Sequence, residues 1–273
     1  MGGVAWAGLG ANLGLTAAAV AVLMAGVVLW VARGGPAVVI DTVWGAGFAL
    51  VAVVGWVASA GDGDGALRAV VTVLTVVWGL RLAVHLHRRN HGKGEDPRYE
   101  DLFARHDGGR VRVTALWVCL PQAVILWFVS LPVQVAQYVT IEPAWWLVGL
   151  GVAVWAVGLV FEAVGDWQLA RFKADPGNRG RIMDRGLWRY TRHPNYFGDA
   201  CVWWGLWLCA CVTWPGAATV LSPLLMTFFL ARGTGKPLTE KRMADRPGYA
   251  EYVERTSGFV PLPPRQRSIS GSG

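Results

Sequence analysis

The sequence predicts an all-α polytopic membrane protein of about seven transmembrane helices, with the N-terminus outside and the C-terminus cytoplasmic. Three observations carry this. Of the 273 residues, 54% are hydrophobic and 16% charged, with sixteen Trp, a residue enriched at membrane interfaces. Seven apolar stretches reach the length range of membrane spans, at 10–32, 38–60, 66–87, 113–136, 144–166, 198–214 and 216–232. The connectors alternate in charge. Seven Lys or Arg fall in 88–112, seven in 171–197 and eight in 232–273, whereas 59–65 and 137–143 carry none. Basic loops stay on the cytoplasmic side, and this alternation agrees with seven spans.

In chain order, 1–37 reads as an N-terminal transmembrane helix, 38–264 as the main membrane domain and 265–273 as a disordered tail of small polar residues. The first apolar run is followed by further spans, so it reads as a membrane helix rather than a cleaved signal. The last two stretches are short and meet at Trp214-Pro215-Gly216, as a tight hairpin would. Membrane lipids are the expected surroundings. The net charge of +7 is accounted for by the cytoplasmic loops and calls for no nucleic-acid partner.

Ionisable residues inside the spans are more informative, since each costs about 2.5–3.5 kcal/mol at a helix centre on insertion scales. Asp41 opens the second span, Arg81 and His85 lie late in the third, and Glu162 and Asp166 lie late in the fifth. All fall in the cytoplasmic half of the expected topology, which suits a polar cavity open to that side. Trp78, Arg81 and His85 share one helix face, and Glu162, Asp166 and Lys173 fall near another. A plainer use for Asp41 and Arg81 is an ion pair that joins two helices.

Several chemistries lack their signatures. No GxGxxG follows a strand and no Walker sequence is present, which argues against a Rossmann domain or P-loop. His85, His87 and His91 lack the spacing of a metal site. Cys119, Cys201, Cys209 and Cys211 sit in apolar stretches without a CxxC pair and read as small hydrophobes. The segment Arg89 to Tyr99 combines glycines with cations, as phosphate-cradling loops do, and also reads as an ordinary basic loop.

The densest polar stretch is Asp184 to Asp199. Arg189 and Arg192 offer forked donors suited to phosphate. His193, Asn195, Tyr190, Tyr196 and Asp199 add donors, acceptors and ring faces. Beyond it, Thr239-Glu240-Lys241-Arg242 and Arg246-Pro247-Gly248-Tyr249-Ala250-Glu251-Tyr252 read as an amphipathic helix, a turn and an extended end, able to close as a lid.

Gly186-Leu187-Trp188-Arg189-Tyr190-Thr191-Arg192-His193-Pro194-Asn195-Tyr196-Phe197-Gly198-Asp199 resembles the signature shared by membrane steroid 5-alpha-reductases, sterol C14-reductases and isoprenylcysteine carboxyl methyltransferases. The Arg-Pro-Gly-Tyr-x-Glu-Tyr tail resembles that superfamily's second motif. The pattern is most similar to the bacterial DUF1295 branch, described as steroid 5-alpha-reductase-like. This places the chain in a multi-pass inner (plasma) membrane setting. The resemblance implies a seven-helix fold that holds NADPH at the cytoplasmic ends of the later helices. The cofactor residues it implies are Glu162, Asp166, Arg171, Lys173, Arg189, Tyr190, Arg192, His193, Asn195, Tyr196, Asp199, Glu240 and Lys241. In the reductases an acid and a tyrosine polarise the substrate carbonyl. The acid corresponds to Asp41, but the tyrosine position holds Trp78, which is no proton donor, so Arg81 or His85 takes that role.

The methyltransferase relatives use S-adenosylmethionine, which bears a sulfonium and no phosphate. The seven basic residues between Arg171 and Arg192 favour the phosphorylated NADPH. The expected function is NADPH-dependent reduction of an apolar, lipid- or steroid-like enone or alkene that enters from the bilayer. S-adenosylmethionine-dependent methyl transfer and a non-catalytic lipid-binding role are the alternatives.

Overall fold

The computed structural model describes residues 3–265. Met1, Gly2 and most of the expected tail, 266–273, lie outside the described residues. In chain order the helices are α1 (Trp6–Ala32), α2 (Val39–Ala58), α3 (Gly65–Asn90), α4 (Pro97–Arg105) and α5 (Gly109–Val113). A π-helical turn (Thr114–Cys119), α6 (Leu120–Val129), α7 (Leu131–Ala136) and α8 (Trp145–Ala174) follow. Then come α9 (Pro194–Ala210), α10 (Trp214–Ala218), α11 (Leu221–Ala231), α12 (Lys236–Met243) and α13 (Tyr249–Arg255). Among the described residues the only β pairings outside helices are two isolated bridges. The protein is an all-α polytopic membrane protein.

Among the described residues, six helical segments are long and apolar enough to cross a membrane: Trp6–Ala32, Val39–Ala58, Gly65–Asn90, Gly109–Val129, Trp145–Ala174 and Trp214–Met243. The span expected at 198–214 corresponds to α9, a helix of 17 residues. Many apolar side chains face outward, among them Val22 at 73% exposure and Trp146 at 74%. Backbone bonds satisfied inside helices, with apolar groups turned out, suit a hydrocarbon surrounding.

The chain divides into two compact units, one running up to Val152 with Leu206–Ser222, the other comprising Ala153–Gly205 and the chain from Pro223 on. In the first unit α2 and α3 form a close hairpin, because Gly45 and Gly79 face one another. A Cβ on either glycine would lie 2.5 Å from the other's carbonyl oxygen. Asp64 caps α3, its carboxylate accepting from the Leu67 amide at 2.8 Å, the usual N-cap arrangement. At that turn Arg68 is buried, donating to Ser59 Oγ at 2.8 Å and the Trp56 carbonyl at 2.7 Å. Its guanidinium lies 4.6 Å from the Trp56 ring centre. Such partners are what a cation needs away from water. The π-helical turn precedes Pro121, where the missing N–H interrupts the regular ladder.

The opposite ends of α2 and α3 are tied by the polar segment that follows α3. Glu95 accepts from the Ala37 and Val38 amides at 2.7 and 3.0 Å and from Arg110 at 2.5 Å. It thereby supplies the anion that a helix N-terminus favours. The loop Arg89 to Tyr99 thus delivers a carboxylate to the start of α2.

In the second unit the decisive contact is Gly158 of α8 against Gly198 of α9. A Cβ on Gly158 would sit 2.5 Å from the Gly198 carbonyl oxygen, and one on Gly198 would sit 2.5 Å from the Glu162 nitrogen. Two turns along α8, Gly165 accommodates Pro194, whose Cγ would be 3.0 Å from an added Cβ. Gly198→Val should therefore destabilise the protein by about 3 kcal/mol, read as a lower thermal midpoint in detergent. Gly149→Ala, with nothing within 4 Å of the added methyl, should leave that midpoint near the wild-type value.

Candidate cofactor site

The glycine crossing brings four of the sequence-derived residues to one place. Glu162 and Asp166 lie on α8, Asn195 and Asp199 on α9. The Cβ that Gly198 lacks would lie 2.9 Å from Glu162 Cβ, so the acid lies against the glycine. Asn195 donates its side-chain amide to Asp166 at 3.2 Å. Glu162, Asp166 and Asp199 are only 2%, 6% and 9% exposed. Three acids at such depth are costly to bury, and groupings of this kind cluster at functional sites.

Glu162, Asp166, Leu169 and Lys173 follow one another at helical spacing along a single face of α8. The last two line a cavity of about 520 Å³ formed with Trp188, Arg192, Tyr249 and Tyr252. This single face thus runs from buried acids to a basic cavity, over about 16 Å at 1.5 Å rise per residue. Lys173, Arg179, Arg181, Arg192 and Arg246 line the cavity against one acid, Asp175. Apolar and aromatic side chains form much of the rest, the usual composition of a small-molecule site.

The C-terminal segment supplies one wall and is stitched to the signature stretch. Thr191 and Ser257 form a parallel bridge. The Arg192 amide donates to the Ser257 carbonyl at 2.9 Å, and Leu262 N to the Tyr190 carbonyl at 3.0 Å. Thr191 Oγ1 donates to the Phe259 carbonyl at 2.8 Å, and Tyr252 gives its hydroxyl to the Trp188 carbonyl at 2.6 Å. Trp188 Nε1 in turn donates to the Gly165 carbonyl at 3.0 Å, tying the stretch to α8. Burial pushes the Tyr252 phenol up, which keeps it a donor. Gly248, at φ +80°, starts α13 in a left-handed conformation that favours glycine.

Arg192 is the centre of this stitching. Its Nε donates to Glu240 at 2.8 Å and its Nη1 to the Val253 and Thr256 carbonyls at 3.2 and 2.5 Å. Lys236 Nζ lies 3.7 Å from the second Glu240 oxygen. His193 Nε2 lies 3.3 Å from Glu240, a bond that requires the proton on Nε2. Burial lowers the His193 pKa against the opposing pull of Glu240, so the neutral donor is favoured. The His193 ring stacks on Tyr196 with centres 5.2 Å apart, and Tyr196 shares a hydrogen bond with Thr239 at 3.2 Å. Glu240 thus holds Arg192 and His193 in place.

Lys173, Arg192 and His193 line the cavity, while Arg171 lines a neighbouring one. Arg189, Tyr190 and Lys241 are exposed. The sequence reading missed Arg179, Arg181, Arg246, Tyr249 and Trp188 as lining residues. The signal for Arg246 and Tyr249 was present in the Arg-Pro-Gly-Tyr turn.

The proposed catalytic residues belong to the first unit. Trp78 is fully buried, its ring 5.5 Å from that of Phe48. Arg81 and His85 are half-buried on α3. Asp41 accepts from Tyr99 at 2.9 Å, Arg98 at 2.9 Å, Arg89 at 3.3 Å and Asn90 at 3.4 Å. Burial, reinforced by Asp41, raises the Tyr99 phenol's pKa. Arg98 and Tyr99 belong to the loop that the sequence singles out, but their pairing with Asp41 is not legible there; they follow Asp96-Pro97, whose acid caps α4 by accepting from the Arg98 amide at 2.9 Å.

Removing one partner of a largely buried ion pair exposes the other's full desolvation cost. Arg192→Ala should loosen the C-terminal segment, lowering its local opening free energy by about 3 kcal/mol. The check is amide hydrogen exchange: Leu262, Thr256 and the Arg192 position should lose protection, while amides in α2 and α3 should not.

The family described as "Protein of unknown function (DUF1295)" matches residues 27–256, most of the chain and all of the signature stretch. The steroid 5-alpha-reductase DET2 of Arabidopsis thaliana is 33% identical over 94 residues, which is 34% of this chain and 35% of that protein. The chain thus aligns with about a third of the length of that curated relative. No solved structure matches the chain significantly. With the family match running from late α1 through the signature stretch and the whole tail motif, this chain is a member of the DUF1295 family, with steroid 5-alpha-reductase similarity.

Proposed function

We propose that the protein is an integral-membrane NADPH-dependent reductase of an apolar, lipid- or steroid-like enone or alkene that enters from the bilayer. The observation that carries this is the charge of the 520 Å³ cavity, with five cationic side chains and one acid. NADPH bears a pyrophosphate and a 2′-phosphate, for which several Arg and Lys are the fitting partners. S-adenosylmethionine is positively charged at sulfur and has no phosphate to meet these groups. The steroid 5-alpha-reductase similarity supports the same direction.

In this reading Arg179, Arg181, Arg246 and Lys173 hold phosphate oxygens. Arg192 lines the cavity while Glu240 fixes its orientation. Glu162, Asp166, Asn195 and Asp199 supply buried acceptors and donors further along the same face, where polar groups of the cofactor are bound. NADPH, when bound, supplies the hydride for reduction. Reduction also needs a proton, for which the sequence-derived candidates are Arg81 and His85, half-buried on α3. Asp41, accepting from Tyr99 and Arg98 at 2.9 Å each, positions its surroundings in this scheme.

Purified protein in detergent, melted with NADPH, with S-adenosylmethionine and with neither, tests the reading. At a hundredfold excess over its Kd a ligand stabilises the native state by about 2.7 kcal/mol. NADPH should raise the melting temperature accordingly. Stabilisation by S-adenosylmethionine alone would replace reduction with methyl transfer, and stabilisation by neither would favour a non-catalytic lipid-binding role.

A further inference from the structure

We propose that a second cavity in the same unit binds the phosphate of an anionic membrane lipid. The proposal does not depend on the reductase reading. This cavity measures about 400 Å³ and holds Arg171 and Arg185, neither of which lines the larger one. Phe172, Asp175, Asn178 and Met183 form a wall common to the two.

The two arginines are placed by a built framework. Gly186, next to Arg185, has φ +58°, and a Cβ there would fall 2.3 Å from Gln168 Nε2. The positive φ favours glycine, and the end of the Gln168 side chain occupies the space a Cβ would take. Gln168 accepts from the Leu187 amide at 3.0 Å, fastening the segment that carries Arg185 to α8, which carries Arg171. The acid on the rim, Asp175, is already engaged by its own turn. Its Oδ1 accepts from the Gly177 amide at 2.9 Å and its Oδ2 from Asn178 at 3.3 Å. Asn178 also donates to the Phe172 carbonyl at 3.0 Å, fixing the wall. Two guanidinium groups therefore outweigh one carboxylate.

The location selects a lipid as the source of the phosphate. The cavity lies where the apolar run of α8 gives way to basic residues. Trp167 also lines it and is 58% exposed, and the Arg171 guanidinium lies 5.6 Å from its ring centre. An outward indole followed one turn later by Arg marks the headgroup level of a bilayer. Arginine pairs bidentately with phosphate oxygens, while Trp167, Phe172 and Met183 offer apolar surface to the adjoining glycerol and acyl atoms.

The test uses the full chain in phosphatidylcholine nanodiscs, with and without phosphatidylglycerol, with lipid retention after extraction read by native mass spectrometry. The wild type should retain phosphatidylglycerol. Since each cation near an anionic membrane surface adds to its hold on the lipid, Arg171→Ala with Arg185→Ala should reduce retention about tenfold or more. Arg189→Ala with Arg242→Ala removes the same charge outside both cavities and should change it little. Should the first pair fail to fold, Arg171→Lys with Arg185→Lys keeps the charge but loses the fork, and a fewfold loss is expected. Equal retention in all variants, or equal loss in both alanine pairs, would overturn the site. A melting shift given by inorganic phosphate in phosphatidylcholine discs, equal to that from phosphatidylglycerol and lost in Arg171→Ala with Arg185→Ala, would assign it to free phosphate and overturn the lipid.

Discussion

The contact of Gly158 with Gly198 is the constraint on which the candidate site depends. With no side chain on either residue, α8 and α9 approach until backbone meets backbone, an added Cβ being only 2.5 Å from the opposing atoms. In a membrane the hydrophobic effect contributes little to helix association, and close packing of small residues takes its place. Glu162 and Asp166 are thereby set against Asn195 and Asp199, although about thirty residues of chain separate them. Gly45 and Gly79 solve the same packing problem for α2 and α3 in the first unit.

A second level of organisation rests on Glu240. One carboxylate meets Arg192 at 2.8 Å and His193 at 3.3 Å, while Arg192 also reaches two carbonyls near the end of α13. These bonds, the Thr191–Ser257 bridge and the Tyr252 hydroxyl make the C-terminal segment a wall of the cavity. Residues with a binding signature in sequence can thus have a prior structural task. Arg192 lines the cavity and secures its wall, so loss of binding in an Arg192 variant would combine two effects. Arg179, Arg181 and Arg246 lie on the same cavity and are exposed, which makes them the cleaner probes of its charge.

Much of the fold was legible because membrane insertion writes itself into local composition. Long apolar runs, charge-biased connectors and interfacial Trp need no tertiary information. Helical spacing likewise put Glu162, Asp166 and Lys173 on one face. The partners across the chain were less accessible. Nothing local pairs Arg192 with Glu240, 48 positions away, or Asp41 with Tyr99, 58 positions away. Arg68 shows the same limit, since an arginine beside a connector without Lys or Arg is buried by Ser59 and Trp56. The division of the cations between two cavities also follows from the path of the chain around Phe172 and Met183, which composition cannot convey. The family motifs identified the important stretch, and the hydrogen bonds distinguish residues that line the cavity from those that brace it.

The central claim is that the basic cavity receives the phosphates of a dinucleotide. Its most direct test is equilibrium binding of NADPH to the full chain in detergent, comparing wild type with Arg179→Ala/Arg181→Ala. The account predicts saturable binding that weakens at least about tenfold in the double variant, one factor of ten corresponding to about 1.4 kcal/mol, with folding unchanged. Undiminished NADPH affinity in that folded variant, or no NADPH binding by the wild type, would contradict it.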